Sequence, residues 1–134
     1  MLDLQQLNTG LVIPENIAHK VLATVISYYP GRGADGTDEA LCDAGAIAMS
    51  KDTGPREGYG DVIGKSWRLG RISQEHGILT CSRDRRPEKL EVGSTVEIIG
   101  QHACLIAAAH PWYYITDSSI GGDTVGSLEG LVNK

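Results

Sequence analysis

The sequence predicts a mainly all-β protein, a small antiparallel β-barrel with one or two short helical turns. Three observations support this prediction. Glycine accounts for 17 of the 134 residues, close to twice its average share of roughly 7%, which favours many turns. Short runs rich in β-branched residues recur between turn signals at spacings of roughly 8 to 15 residues. Because these runs do not alternate with long helical patterns, a barrel or sandwich is favoured over an α/β fold.

The individual elements follow from local composition. The clearest strand is 18–29, where alternating residues centred on Val21 and Val25 would face one side of a sheet, and Pro30 ends it. Alanine, isoleucine and methionine in 44–51 indicate a turn of helix. The other predicted strands are 40–43, 61–64, 66–72, 77–81, 96–100 and 112–116.

The length and charge limit the class of protein. A chain of 134 residues with no linker-like segment predicts a single domain over 1–134, with 1–14 as a loose N-terminal arm. The net charge of −5 argues against a nucleic-acid or membrane partner. We expect no signal peptide, since the start has no basic or hydrophobic leader, and three cysteines then indicate free thiols in the cytoplasm.

A glycine-rich segment, 31–36, matches the dinucleotide pattern G-x-G-x-x-G. That pattern binds pyrophosphate only where its last glycines open a helix. Here Pro30 precedes the segment and Asp35 places a negative charge inside it. We therefore interpret it as an ordinary loop.

His102 and Cys104 form the first candidate site, directly after the apolar run 95–99. If the strand continues through them, side chains two residues apart project from the same face. Imidazole and thiolate are common zinc ligands, so the pair is a candidate metal site. The alternative is a strand-end histidine beside a buried thiol.

Glu75 and His76 form the second candidate site, in a turn between two predicted strands. Gly77 suggests a bulge that re-aims a side chain, as often occurs beside active sites. Either residue would then be a third ligand, an orienting partner or an acid/base, and the alternative is a solvated turn. Cys42 and Cys81 are interpreted as packing residues and His19 as a solvent-facing residue.

The order of several segments resembles the C-terminal β-domain of the D-serine dehydratase family, which is related to D-threonine aldolase and to alanine-racemase-like pyridoxal-phosphate enzymes. The resemblance covers about residues 15–117. The segments that carry it are VLATVIS at 21–27, DAG at 43–45 with AMSKD at 48–52, GDV at 60–62, QEHG at 74–77, LEVGSTVEI at 90–98, HAC at 102–104 and YY at 113–114.

This resemblance implies a specific chemistry. It assigns His102 and Cys104 as ligands of a zinc ion that acts as a Lewis acid on the β-hydroxyl of a small D-amino-acid substrate. The family's cofactor lysine lies in an N-terminal barrel that nothing in this chain resembles, so pyridoxal phosphate is not expected to bind this chain alone. Residues 118–134 also differ from the family's terminal strand.

Three hypotheses follow for the function. In the first, the chain is a split or excised domain of a lyase whose activity needs a pyridoxal-phosphate barrel supplied by another chain. The expected partners are a small-molecule substrate and either a barrel-domain protein or a second copy of this chain. Alternatively, it is a free-standing zinc-dependent lyase, hydrolase or cyclase in which Glu75 or His76 transfers protons. The third hypothesis is a non-catalytic metal-binding domain that exposes an interaction surface.

Overall fold

The computed structural model describes residues 2–81, 87–116 and 125–127. Its strands are β1 (Val21–Tyr29), β2 (Glu39–Cys42), β3 (Gly60–Val62), β4 (Trp67–Ile72), β5 (Gly77–Cys81), β6 (Thr95–Gly100), β7 (Tyr114–Thr116) and β8 (Val125–Ser127). Its helices are α1 (Leu4–Asn8), α2 (Ala46–Met49) and α3 (Ala103–Ala109), with one 3₁₀ turn at Pro14–Asn16.

Six of these strands close into an antiparallel barrel in the order β1-β2-β5-β4-β3-β6, and β6 pairs again with β1. The short strands β7 and β8 pair separately. The prediction of a mainly β antiparallel barrel with few short helices is therefore confirmed. None of the helices in the described ranges is long and apolar enough to cross a membrane.

Alternation along the strands builds the core. In β1, Val21, Ala23 and Val25 are buried, whereas Leu22, between the first two, and Ile26, after the third, are exposed. Leu69 of β4 and Leu79 of β5 are paired partners, and both are fully buried. Period-two burial of this kind is what a barrel with one inner face requires.

One end of the barrel is closed by α3. Ile106 is completely buried, and a Cβ added to Gly100 would lie 2.1 Å from its Cδ1 atom. Glycine at 100 is therefore what allows the helix to sit directly on the end of β6. The segment that carries His102 and Cys104 lies at this same junction.

The N-terminal segment is not the loose arm that we expected. Asp3 and Gln6 form a reciprocal capping box at the start of α1, and Leu4 is only 2% exposed. A helix of five residues is marginal alone and is stabilised here by its contacts with the barrel. Of the segment 118–134, which we expected to be atypical, only Val125–Ser127 lies within the described residues.

Three smaller predictions have mixed outcomes. The segment 31–36 is a loop between β1 and β2, as expected, with Gly31 and Gly36 at positive φ. Cys42 is fully buried and Cys81 half-buried, which fits packing roles. His19, however, is partly buried against the ring of Tyr113, with ring centres 6.0 Å apart, and does not simply face solvent.

Candidate metal centre

His102 and Cys104 lie at the junction between the end of β6 and the start of α3. His102 is the N-cap residue of the helix, with extended backbone at φ −132° and ψ 99°, and Cys104 lies in the first helical turn. The expected continuation of the strand through Cys104 is therefore wrong. Its reason is local, because the sequence ACLIAAA has high helix propensity and its buried residues, Ala103 and Ile106, are three apart.

The His102 imidazole is held by a carboxylate from a distant part of the chain. Its Nδ1 atom lies 2.5 Å from Oδ2 of Asp52, and the two side chains are 33% and 39% exposed. Hydrogen bonds from His102 and then from Gln5 lower the pKa of Asp52. An ionised Asp52 can only accept, so the neutral ring donates from Nδ1, which leaves the Nε2 lone pair available.

Asp52 reaches this position through the segment that follows α2. Ser50, the C-cap residue of α2, has φ 62° and ψ 175°, a conformation rare for any residue except glycine. Its hydroxyl accepts a hydrogen bond from the backbone N–H of Asp52 at 3.2 Å. Asp52 was not among the candidate site residues, since a pairing across 50 residues leaves no local signal in the sequence.

Glu75 and His76 occupy the turn between β4 and β5, and both are exposed. The turn packs on the start of α2: the N–H groups of Ala46 and Ile47 donate to the carbonyls of Ser73 at 2.9 Å and Gln74 at 3.1 Å. It thus lies beside the start of the short helix whose other end leads to Asp52.

The bulge that we expected at Gly77 lies elsewhere. Gly77 is regularly paired with Ile72 and Cys42, and the register shift falls between Leu69 and Arg71. Gly77 is instead required by close packing, because an added Cβ would lie 2.4 Å from Leu69 Cδ1 and 2.5 Å from a backbone oxygen. The turn is therefore shaped by α2 and not by a bulge.

The described ranges contain no group of three or more His, Cys, Asp or Glu side chains that could hold a metal ion together. Glu75 and His76 are therefore not gathered with His102 and Cys104 into one three-residue cluster. His110 is held at the end of α3, where its Nδ1 atom lies 2.8 Å from the carbonyl oxygen of Ile106. The candidate centre thus consists of His102, oriented by Asp52, with the exposed thiol of Cys104.

Comparison with known proteins assigns the chain to a family. The family model described as "Putative serine dehydratase domain" matches residues 18–116. D-serine dehydratase from Schizosaccharomyces pombe is 43% identical over 122 residues, and D-serine dehydratase from Saccharomyces cerevisiae is 32% identical over 145 residues. The matched regions cover 89% and 99% of this chain but only 29% and 30% of those two relatives.

Solved structures show the same fold. D-threo-3-hydroxyaspartate dehydratase from Delftia sp. HT23 superposes with a TM-score of 0.77 at 30% identity, over 95% of this chain and 35% of the other. An alanine-racemase-like protein from Idiomarina loihiensis gives a TM-score of 0.72 at 32% identity, over 85% of this chain and 32% of the other. This chain, which spans about a third of the length of these proteins, therefore belongs to the serine dehydratase domain family.

Proposed function

We propose that this chain is the zinc-binding domain of a lyase that removes water from a D-3-hydroxy amino acid, with His102 and Cys104 as the zinc ligands. The relatives named above are D-serine and D-threo-3-hydroxyaspartate dehydratases, and both substrates are small D-amino acids with a hydroxyl on the β-carbon. The observation that carries the proposal is the hydrogen bond between His102 and Asp52, which leaves one ring nitrogen free for a metal.

The residues present fit a zinc ion. A ring nitrogen freed by a carboxylate on the other nitrogen is the usual arrangement of a metal-bound histidine. Cys104, two residues later, adds an exposed sulfur, and zinc accepts both donor types. Solved structures of the Delftia dehydratase include a histidine-to-alanine variant and a metal-free cysteine-to-alanine variant, at positions two residues apart, which is the spacing of His102 and Cys104.

Each residue then has a defined part in the site. A zinc ion bound here would supply Lewis acidity toward the leaving hydroxyl. Asp52 holds the imidazole in one orientation and tautomer. Two protein ligands leave coordination positions open for substrate or water, as a catalytic metal requires. For Glu75 and His76, whose side chains are exposed on the β4–β5 turn, we propose proton transfer.

In this proposal pyridoxal phosphate is bound by a barrel that lies outside these 134 residues. Lys20 pairs with Glu97, and Lys65 pairs with Glu88. The Lys89 ammonium lies 5.6 Å from the ring centre of Tyr28. These three amines are engaged at the protein surface, and no step through the cofactor is assigned to this chain.

Zinc titration of the purified chain tests the ligand assignment. We expect one equivalent to bind, and His102→Ala and Cys104→Ser to weaken binding strongly. Cys81→Ser is the matched control, because Cys81 is half-buried and its thiol donates to the carbonyl of Asp38. Cobalt substitution should add a thiolate charge-transfer band that Cys104→Ser removes and Cys81→Ser leaves in place. A wild-type chain that binds no zinc, or equal losses in the two serine variants, would contradict the assignment.

Complementation tests the lyase role. The chain is mixed with a Schizosaccharomyces pombe D-serine dehydratase that lacks its matching region, in the presence of pyridoxal phosphate. We expect D-serine turnover from the mixture, none from either part, and none with His102→Ala. Turnover by this chain alone that a chelator abolishes would favour the free-standing enzyme. Zinc binding without turnover in any mixture would favour the non-catalytic domain.

A further inference from the structure

Residues 3–5 form hydrogen bonds with both chain neighbours of His102 and with its side-chain partner Asp52. The backbone N–H of Gln5 donates to the carbonyl of Gln101 at 3.2 Å, and Oδ2 of Asp3 accepts from the N–H of Ala103 at 2.8 Å. Nε2 of Gln5 donates to Oδ2 of Asp52 at 3.1 Å, the same oxygen that lies against the His102 ring. The residues before and after His102 and its side-chain partner are thus all held by one short segment.

We propose that this segment, the N-terminal clamp (Asp3, Leu4 and Gln5), positions His102 and Cys104 for metal binding. The inference rests on the proposed zinc role of those two residues. It extends the site to the first residues of the chain, which lie about 100 positions away from the ligands and before the region matched by the family model.

The clamp is itself fixed in place. Asp3 is 4% exposed and its carboxylate serves two helices, since Oδ1 accepts from the N–H of Gln6 in α1 and Oδ2 accepts from the first residue of α3. Leu4, which is 2% exposed, anchors α1 in the protein interior. A carboxylate that caps two helix starts fixes their separation, so α3 and its Cys104 keep a constant position relative to α1.

Gln5 adds control of the Asp52 carboxylate. Its amide donates both to Oδ2 of Asp52 at 3.1 Å and to the carbonyl of Thr53 at 2.9 Å. Asp52 is 39% exposed, and its carboxylate is also hydrogen-bonded to His102 and to the backbone of Thr53. With Gln5 in place the carboxylate presents one fixed oxygen to the ring, which fixes the ring orientation and the tautomer in turn.

Gln5→Met tests the clamp, with Gln6→Met as the matched control. Methionine keeps the length of the side chain and removes the amide donor. Gln6 lies next to Gln5 in α1, and its side chain accepts from the backbone N–H of Asp3, whereas the bond to Asp52 comes from Gln5. Direct partners of a metal ligand are worth about 10- to 100-fold in affinity, and Gln5 lies one bond further away. We therefore expect zinc affinity to fall about three- to tenfold in Gln5→Met, and less in Gln6→Met.

A second measurement does not depend on metal. Nitrogen NMR of the metal-free protein at about pH 8, where free imidazole is neutral, should report the Nδ1–H tautomer of His102 in the wild type. Gln5→Met should shift the population toward the Nε2–H tautomer, and Gln5→Lys, which keeps a donor, should restore both the tautomer and the zinc affinity. A substitution that only destabilises α1 would not lower the Nδ1–H population and the zinc affinity in Gln5→Met and restore both in Gln5→Lys.

The outcomes separate the clamp from the proposed function. Equal values for Gln5→Met and Gln6→Met in both measurements would overturn the clamp. If Asp52→Asn weakens zinc binding and Gln5→Met does not, the zinc role stands and the clamp falls. If the wild type binds no zinc, the proposed function falls, and the tautomer measurement alone decides whether residues 3–5 position the ring.

Discussion

Gly45→Ala should destabilise the protein through steric overlap alone, without strain in the backbone of residue 45. Gly45, the N-cap residue of α2, has φ −94°, a conformation open to alanine. An added Cβ, however, would lie 2.3 Å from the backbone carbon of Glu75, 2.5 Å from the nitrogen of His76 and 2.6 Å from the oxygen of Gln74. Backbone cannot rotate away as a side chain can, so the whole β4–β5 turn has to move.

The expected cost can be built from those contacts. A shift of about 1 Å is needed to reach ordinary contact distances, and overpacking of this kind costs about 1–3 kcal/mol. The shift also strains the two hydrogen bonds from α2 to Ser73 and Gln74, each worth about 0.5–1.5 kcal/mol. Alanine returns about 0.4–1 kcal/mol by restricting the unfolded chain. We expect a net loss of about 2–3 kcal/mol.

Urea unfolding of the wild type and two alanine variants measures this loss. Gly64→Ala is the control, because Gly64 has φ +66° and open space around its Cβ position. In that variant the free energy of unfolding should fall only by the cost of a left-handed backbone at alanine, about 1 kcal/mol. Amide NMR shifts should also change at residues 74–76 in Gly45→Ala and not in Gly64→Ala. If Gly45→Ala is no more destabilising than Gly64→Ala, the steric reasoning is refuted.

Two further predictions concern thiols and pH. Burial raises the pKa of the Cys42 and Cys81 thiols. A disulfide reagent should therefore modify the exposed Cys104 first, and one equivalent of zinc should slow that reaction. Equal reaction rates for all three thiols would contradict the burial pattern. Burial and the hydrogen bond to Asp38 raise the pKa of Tyr28 to about 12, and the same bond lowers the pKa of Asp38. The extra stability from this pair is therefore present between about pH 4 and pH 10, and is lost as the pH falls through the folded pKa of Asp38 or rises toward that of Tyr28. Urea unfolding across pH should show a difference between the wild type and Tyr28→Phe that shrinks at both extremes, and a constant difference would count against the pair.

The barrel could be predicted because its signals are local. Alternation in 18–29 predicted β1, which begins at Val21 once the ladder with β6 is formed. The glycines mark both turns and places of close packing, such as Gly45 against the backbone of residues 74–76. The helices were harder to predict. The apolar run 103–109 fits a strand and a helix equally well, and only its alanine content favours the helix.

The candidate site could be predicted only in part. The His-x-Cys pair was visible as a spacing, although its geometry is that of a helix N-cap and first turn and not of a strand. Asp52 was not identified, because nothing in its neighbours indicates that it meets a residue 50 positions later. Asp3 and Gln5 were assigned to a loose arm, because a helix of five residues has too short a period to recognise.

Asp52, Asp3 and Gln5, which the sequence did not identify, share one property: each holds the site from a distant part of the chain. His102 and Cys104 are partly exposed at the end of the barrel, where the core itself gives a side chain little restraint. Fixing a metal ligand to within the roughly 0.5 Å that binding requires needs a surrounding shell of hydrogen bonds. In this chain those bonds come from segments about 50 and 100 residues away, which meet only after the barrel has closed. The arrangement of His102 and Cys104 is therefore a product of the complete fold, and we expect it to be lost in partially unfolded states before the hydrogen bonds between the barrel strands are.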